Sequence, residues 1–96
     1  AGLPEGFVLR QNYPNPFNGE TVIGFVLPTR EEVELTVFDL VGQRVTTLVW
    51  GTWEVGEHEV RWDGTSSDGR LVGSGVYIYE VRTPTETVVR RMTLLR

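Results

Sequence analysis

Glu32-Val33-Glu34-Leu35-Thr36-Val37-Phe38-Asp39 carries an apolar side chain at every second position, and that spacing decides the fold. Successive side chains of a β-strand point to opposite faces of its sheet, so Val33, Leu35 and Val37 face a core while Glu32, Glu34 and Thr36 face away from it. The same pattern recurs on both sides of this stretch. In 21–27 the core set is Ile23, Phe25 and Leu27. In 57–62 Val60 and Trp62 oppose Glu57, Glu59 and Arg61, with His58 on the apolar side. Further along, Tyr77, Tyr79 and Val81 oppose Val76, Ile78 and Glu80, and Val88, Met92 and Leu94 oppose Val89, Arg91, Thr93 and Leu95. In these last two runs both faces carry apolar groups, which suits strands central to a sheet or covered by a further element.

With 7–12 and 44–50 added, the runs number seven: 7–12, 21–27, 32–39, 44–50, 57–62, 75–83 and 86–95. All are rich in Val, Ile, Thr and aromatics and are bounded by Gly, Pro, Asn or Asp, and none has helical periodicity. About seven short strands in 96 residues predict an all-β, immunoglobulin-like antiparallel β-sandwich. Gly42 stands where the 39–44 connection needs a positive φ, and Pro84 fixes φ in the 83–86 connection, so both read as hairpins. In Tyr13-Pro14-Asn15-Pro16-Phe17-Asn18-Gly19 two prolines and two asparagines make a rigid corner, with Tyr13 and Phe17 expected to plug the sandwich end.

A chain of 96 residues is one domain's worth, and residues 1–96 are read as one domain whose residues 1–6 link it to a parent protein. A small core leaves few side chains for a deep catalytic cleft, so the expectation is a non-catalytic module. It opens at Ala1 without an initiator Met, as expected of a piece cut from the C-terminal end of a larger exported protein. No apolar run approaches the roughly 18–20 residues of a membrane helix, so no transmembrane segment is expected. Cysteine is absent, which excludes disulfides and thiolate zinc sites. A net charge of −4 argues against nucleic acid as a partner. All nine cations are Arg.

Few residues offer chemistry. The sole histidine, His58, shares a face with Val60 and Trp62 and reads as a partly buried structural residue. Glu31, Glu32, Glu34, Glu54, Glu57 and Glu59 read as solvated strand and turn residues. The loop Trp62-Asp63-Gly64-Thr65-Ser66-Ser67-Asp68-Gly69-Arg70 holds oxygen donors, and Asp63 with Asp68 gives a weak calcium alternative to a pair of tight turns. No cofactor is expected. Trp50 and Trp53 flank Gly51-Thr52, read as a turn, and a pair of exposed rings there would make a platform for a polysaccharide. The competing reading is a cap over the sandwich end or a contact with the parent.

Several motifs then fall in one order: Leu9-Arg10-Gln11-Asn12-Tyr13-Pro14-Asn15-Pro16-Phe17-Asn18, Phe38-Asp39-Leu40-Val41-Gly42-Gln43-Arg44-Val45, Leu48-Val49, Gly56-Glu57-His58-Glu59-Val60-Arg61-Trp62-Asp63-Gly64, Ser74-Gly75-Val76-Tyr77-Ile78-Tyr79 and Arg90-Arg91-Met92-Thr93-Leu94-Leu95-Arg96. Together they resemble the C-terminal domains, of type A, that direct proteins to the type IX secretion system of Bacteroidetes. That version is related to the immunoglobulin-like domain of the flagellar hook-capping protein. The resemblance covers nearly the whole chain from Leu9 onward. It implies a sorting domain for protein transport, reaching the cell surface or medium via the periplasm. The implied partners are the secretion machinery, a sorting protease of the outer membrane, and the catalytic or adhesive domains of the parent in cis. It places recognition on the last strand and its basic end: Arg90, Arg91, Met92, Leu94, Leu95 and Arg96. Trp50 and Trp53 depart from the family pattern. The other functions open to such a module are carbohydrate binding beside a polysaccharide-degrading enzyme, and a structural spacer or assembly role.

Overall fold

In the computed structural model, which describes residues 6–96, the chain forms seven strands in two antiparallel sheets. They are β1 (Val8–Leu9), β2 (Thr21–Leu27), β3 (Glu31–Phe38), β4 (Arg44–Trp53), β5 (Gly56–Trp62), β6 (Gly75–Arg82) and β7 (Thr87–Leu94). One sheet has the order β1-β2-β5 and the other β4-β3-β6-β7. The expected all-β sandwich is therefore present, with its fourth strand on the larger sheet. Apart from Gly6, the linker expected over 1–6 lies outside the described residues. Among the described residues no helix is long and apolar enough to cross a membrane.

The alternating residues meet where their pattern requires. Ile23, Phe25 and Leu27 from β2, Val33, Leu35 and Val37 from β3, Tyr79 and Val81 from β6, and Met92 and Leu94 from β7 are buried in one core. Trp62 anchors one end of it, with ring centroids 5.7 Å from Phe17 and 5.5 Å from Tyr77, and its indole N–H donates to the Thr65 carbonyl at 2.9 Å. A buried ring of this size brings its hydrogen-bond partner with it. Both hairpins form. In the first, Asp39 Oδ1 accepts from the N–H groups of Val41 and Gln43, and Gly42 takes φ 87°. In the second, the Thr83 N–H donates to the Glu86 carbonyl at 2.8 Å.

Two sequence expectations fail. Gly51-Thr52 is not a turn: β4 runs on through Trp53, with Val33 opposite Gly51 and Glu32 opposite Thr52. Trp50 and Trp53 consequently fall on opposite faces of one strand. Trp50 is 86% exposed, while Trp53 packs half-buried against the core. Nor does Tyr13 plug the sandwich. It forms a backbone bridge to Val22 on the smaller sheet with its side chain 80% exposed. Phe17 alone of the pair is buried, as is Asn12 just ahead of the corner.

Candidate functional site

The C-terminal strand and the corner 11–17 form one unit, because the corner closes the outer edge of β7. Gln11 Nε2 donates to the Arg91 carbonyl at 2.6 Å, and Asn15 Oδ1 accepts from the Thr93 N–H at 2.9 Å. Phe17 then bridges the strand end, its N–H donating to the Thr93 carbonyl at 3.0 Å and its carbonyl accepting from the Leu95 N–H at 2.9 Å. An open edge would present these groups to any passing strand. Here they are satisfied within the chain. The corner contains cis peptide bonds at Tyr13-Pro14 and Asn15-Pro16.

A buried polar network holds the corner down. The Tyr79 hydroxyl donates to the Arg10 carbonyl at 2.7 Å and accepts from the Asn12 N–H at 2.9 Å. Asn12 Nδ2 donates to Thr21 Oγ1 at 3.0 Å, and that hydroxyl donates to the Pro14 carbonyl at 2.8 Å. Such groups are tolerated inside only when paired, and no described buried side-chain donor or acceptor lacks a partner. Burial, partly offset by the Asn12 hydrogen bond, pushes the Tyr79 phenol above its ordinary value. Burial also raises that of Tyr77.

The six terminal residues expected to carry recognition separate by burial. Met92 and Leu94 lie in the core, 1% and 0% exposed. Arg90 Nε donates to the Leu9 carbonyl at 2.7 Å, tying β7 to β1. Arg96 folds back, with Nε donating to the Val72 carbonyl at 2.7 Å and Nη2 to the Gly64 carbonyl at 2.8 Å. Arg91 and Leu95 remain open on the outer face of the sheet.

The other expected groups have structural partners. His58 packs against Phe25 and meets the edge of Trp53, with centroids 5.4 Å and 4.9 Å away, and its Nε2 lies 2.7 Å from the Glu54 carbonyl. Asp63 Oδ1 accepts from the N–H and hydroxyl of Thr65. Asp68 accepts from the Ser66 hydroxyl and lies 3.6 Å from Arg70 Nε. The Ser66 hydrogen bond, with help from the Arg70 N–H, lowers its carboxyl below the ordinary range. These contacts make Asp63 and Asp68 turn residues. Trp50 lines a groove of about 350 Å³ with Glu32, Glu34, Arg82 and Pro84, on the outer face of the larger sheet. The locking roles of Gln11 and Asn15 are not legible in the sequence: Gln11 falls in the run 7–12 read as a strand, of which only Val8–Leu9 pairs as one, and Asn15 reads as a turn residue rather than a partner of β7.

Known proteins share this architecture. The chain resembles latent PorU from Porphyromonas gingivalis at a TM-score of 0.72 and 22% identity, covering 93% of this chain and 9% of PorU. Against PorZ of the same organism, described as an essential surface component of the type IX secretion system, the TM-score is 0.63 and the identity 24%, covering 96% of this chain and 12% of PorZ. Against the flagellar hook-capping protein FlgD of Xanthomonas campestris the values are 0.63 and 20%, over 92% of this chain and 66% of that one. The chain thus spans only a small part of PorU and PorZ. No curated protein matches the sequence. Residues 12–94 match the family described as FlgD Ig-like domain, and the chain belongs to that family.

Proposed function

We propose that this domain is a non-catalytic sorting module that takes a larger exported protein through type IX secretion to the cell surface. One observation carries the reading: the fold recurs as a small part of two longer proteins, PorU and PorZ, the second of them a component of that system by its own description. The order of motifs along the sequence supports the same assignment. Within the terminal segment, recognition falls to Arg91 and Leu95, whose side chains face outward. Met92 and Leu94 serve the core, so deleting 92–96 removes two buried side chains and the partner of Phe17. That deletion tests folding before it tests sorting, and point substitutions are the cleaner probe.

The test is a fluorescent reporter fused to residues 1–96 in matched cells with and without a working type IX pathway. Appearance at the surface or in the medium only with the pathway supports the reading. A folded fusion held in the periplasm of both strains overturns it.

Trp50 favours a second reading, carbohydrate binding. A single exposed ring bordered by Glu32, Glu34 and Arg82 offers a stacking face beside planar hydrogen-bonding groups. The burial of Trp53 on the other face removes the two-ring platform. Retention on insoluble polysaccharide that Trp50→Ala abolishes would establish it, and no retention would remove it.

A further inference from the structure

Cross-strand register places Arg44, Phe38, Ile78 and Arg91 side by side in one row across all four strands of the larger sheet. Val37, Tyr77, Tyr79 and Met92, next in sequence to Phe38, Ile78 and Arg91, are buried, and exposed Arg44 pairs with Phe38 and precedes Val45, which packs against the core, so the row faces outward. The apolar surface widens around it with Val89, 55% exposed, and Leu95, 53% exposed. Beside the row a groove of about 440 Å³ is lined by Gln11, Ile78, Val89, Arg90 and Arg91.

The charges of this row stand apart from the rest. Arg10, Arg30, Arg61, Arg70 and Arg82 each pair with a carboxylate, and Arg90 and Arg96 donate to backbone carbonyls. Among the described residues, only the guanidinium groups of Arg44 and Arg91 have neither kind of partner. Their backbones stand at the two ends of the row, about 14 Å apart from three strand spacings of about 4.8 Å. Glu80, the carboxylate nearest in register to Val89 on this face, is engaged by Arg82 at 3.1 Å.

We propose that this face is a docking surface for an acidic protein surface, one on which carboxylates flank exposed apolar side chains. Charge complementarity selects that occupant. Two unpaired guanidinium groups framing apolar side chains match carboxylates framing apolar side chains, and such pairing sets orientation and encounter rate. An anionic bilayer is a poorer match, because two unpaired arginines at the ends of one row are not the broad basic face that membrane attraction needs. That the export machinery supplies the occupant rests on the sorting role proposed above. The docking chemistry does not.

Two measurements separate these claims. In the first, full-length domain is titrated into a fluorescent peptide of alternating Glu and Leu, into the same peptide with Lys for Glu, and into phosphatidylcholine–phosphatidylglycerol vesicles. Binding of the acidic peptide alone is expected, weakened by salt and reduced at least about tenfold by Arg44→Glu with Arg91→Glu. Val89→Ser, which leaves both charges in place, is expected to weaken it as well. Circular dichroism and urea midpoints confirm that the variants fold. No binding of the acidic peptide, binding that survives charge reversal, vesicle binding through the same arginines, or self-association that the reversal abolishes would each overturn the assignment. In the second, the double reversal is placed in the reporter fusion. Its loss of export, with wild type exported, identifies the pathway as the source of the occupant, and retained export overturns that source. If wild type itself is not exported while the acidic peptide still binds, the sorting role falls and the docking surface stands.

Discussion

Replacing Tyr79 by Phe removes one oxygen atom and tests whether the corner is locked as described. The ring stays in the core, so little apolar burial changes. What is lost is the acceptor for the buried Asn12 N–H at 2.9 Å and the donor to the Arg10 carbonyl at 2.7 Å. An unsatisfied buried backbone group costs about 1–3 kcal/mol, whereas a carbonyl that regains water loses about 0.5–1.5 kcal/mol. Asn12 is 2% exposed and Arg10 is exposed, so the first cost applies at one end and the second at the other. The expected sum is about 1.5–4.5 kcal/mol, or a fall in Tm of at least roughly 6 °C for a domain this small. Tyr77→Phe is the internal control, because its hydroxyl donates only to the carbonyl of exposed Gly73, and its expected cost is about 0.5–1 kcal/mol. Urea unfolding followed by tryptophan fluorescence and circular dichroism gives both values, and an unchanged m confirms that the compared states are alike. Hydrogen exchange at the Phe17 and Leu95 amides is expected to accelerate in Tyr79→Phe alone. If Tyr79→Phe costs no more than Tyr77→Phe, the buried hydroxyl does not hold the corner.

Three further outcomes are expected. Trp53→Ala, which removes a ring packed on Phe25 and His58, is expected to cost about 2–4 kcal/mol, while Trp50→Ala stays within about 0.5 kcal/mol, measured by urea midpoint. Gly64→Ala is expected to lose about 1–2 kcal/mol, since φ is +76° there and a Cβ would stand 2.5 Å from Arg96 Nη2. Arg96→Ala combined with it should then be less than additive. Stability should fall as pH rises above the ordinary tyrosine value of 10.0, because the unfolded chain releases its phenolic protons there while buried Tyr79 keeps its own. Below that value the contribution is fully present. The alkaline slope should be shallower in Tyr79→Phe, read from urea midpoints across the range.

Alternation made β2, β3, β5, β6 and β7 legible, because one face of each turns to the core, although Val26 of β2 and Thr36 of β3 are buried on the opposite face as well. β4 resists the same reading for a physical reason. Its register against β3 shifts twice, between Leu35 and Thr36 and between Val37 and Phe38, so Leu48 and Val45 are extra residues and the pattern of faces breaks. The run Trp50-Gly51-Thr52-Trp53 looks like a turn because glycine punctuates loops, yet the strand carries through it. Tyr13 misled in a similar way. It joins the sheet by an isolated bridge, and no periodicity sets the direction of a lone bridging residue. The functional row was half legible. Arg91 is one of six residues that the resemblance marks in the terminal segment, but Arg44, Phe38 and Ile78 belong to three other strands, and only the observed register brings them beside it.

The most direct test of the sorting role is restoration of export to a type IX cargo whose own C-terminal domain has been removed and replaced by residues 1–96. The cargo is expected to return to the cell surface or medium, and only in cells with the pathway. A chimera that is folded and active but remains in the periplasm would contradict it.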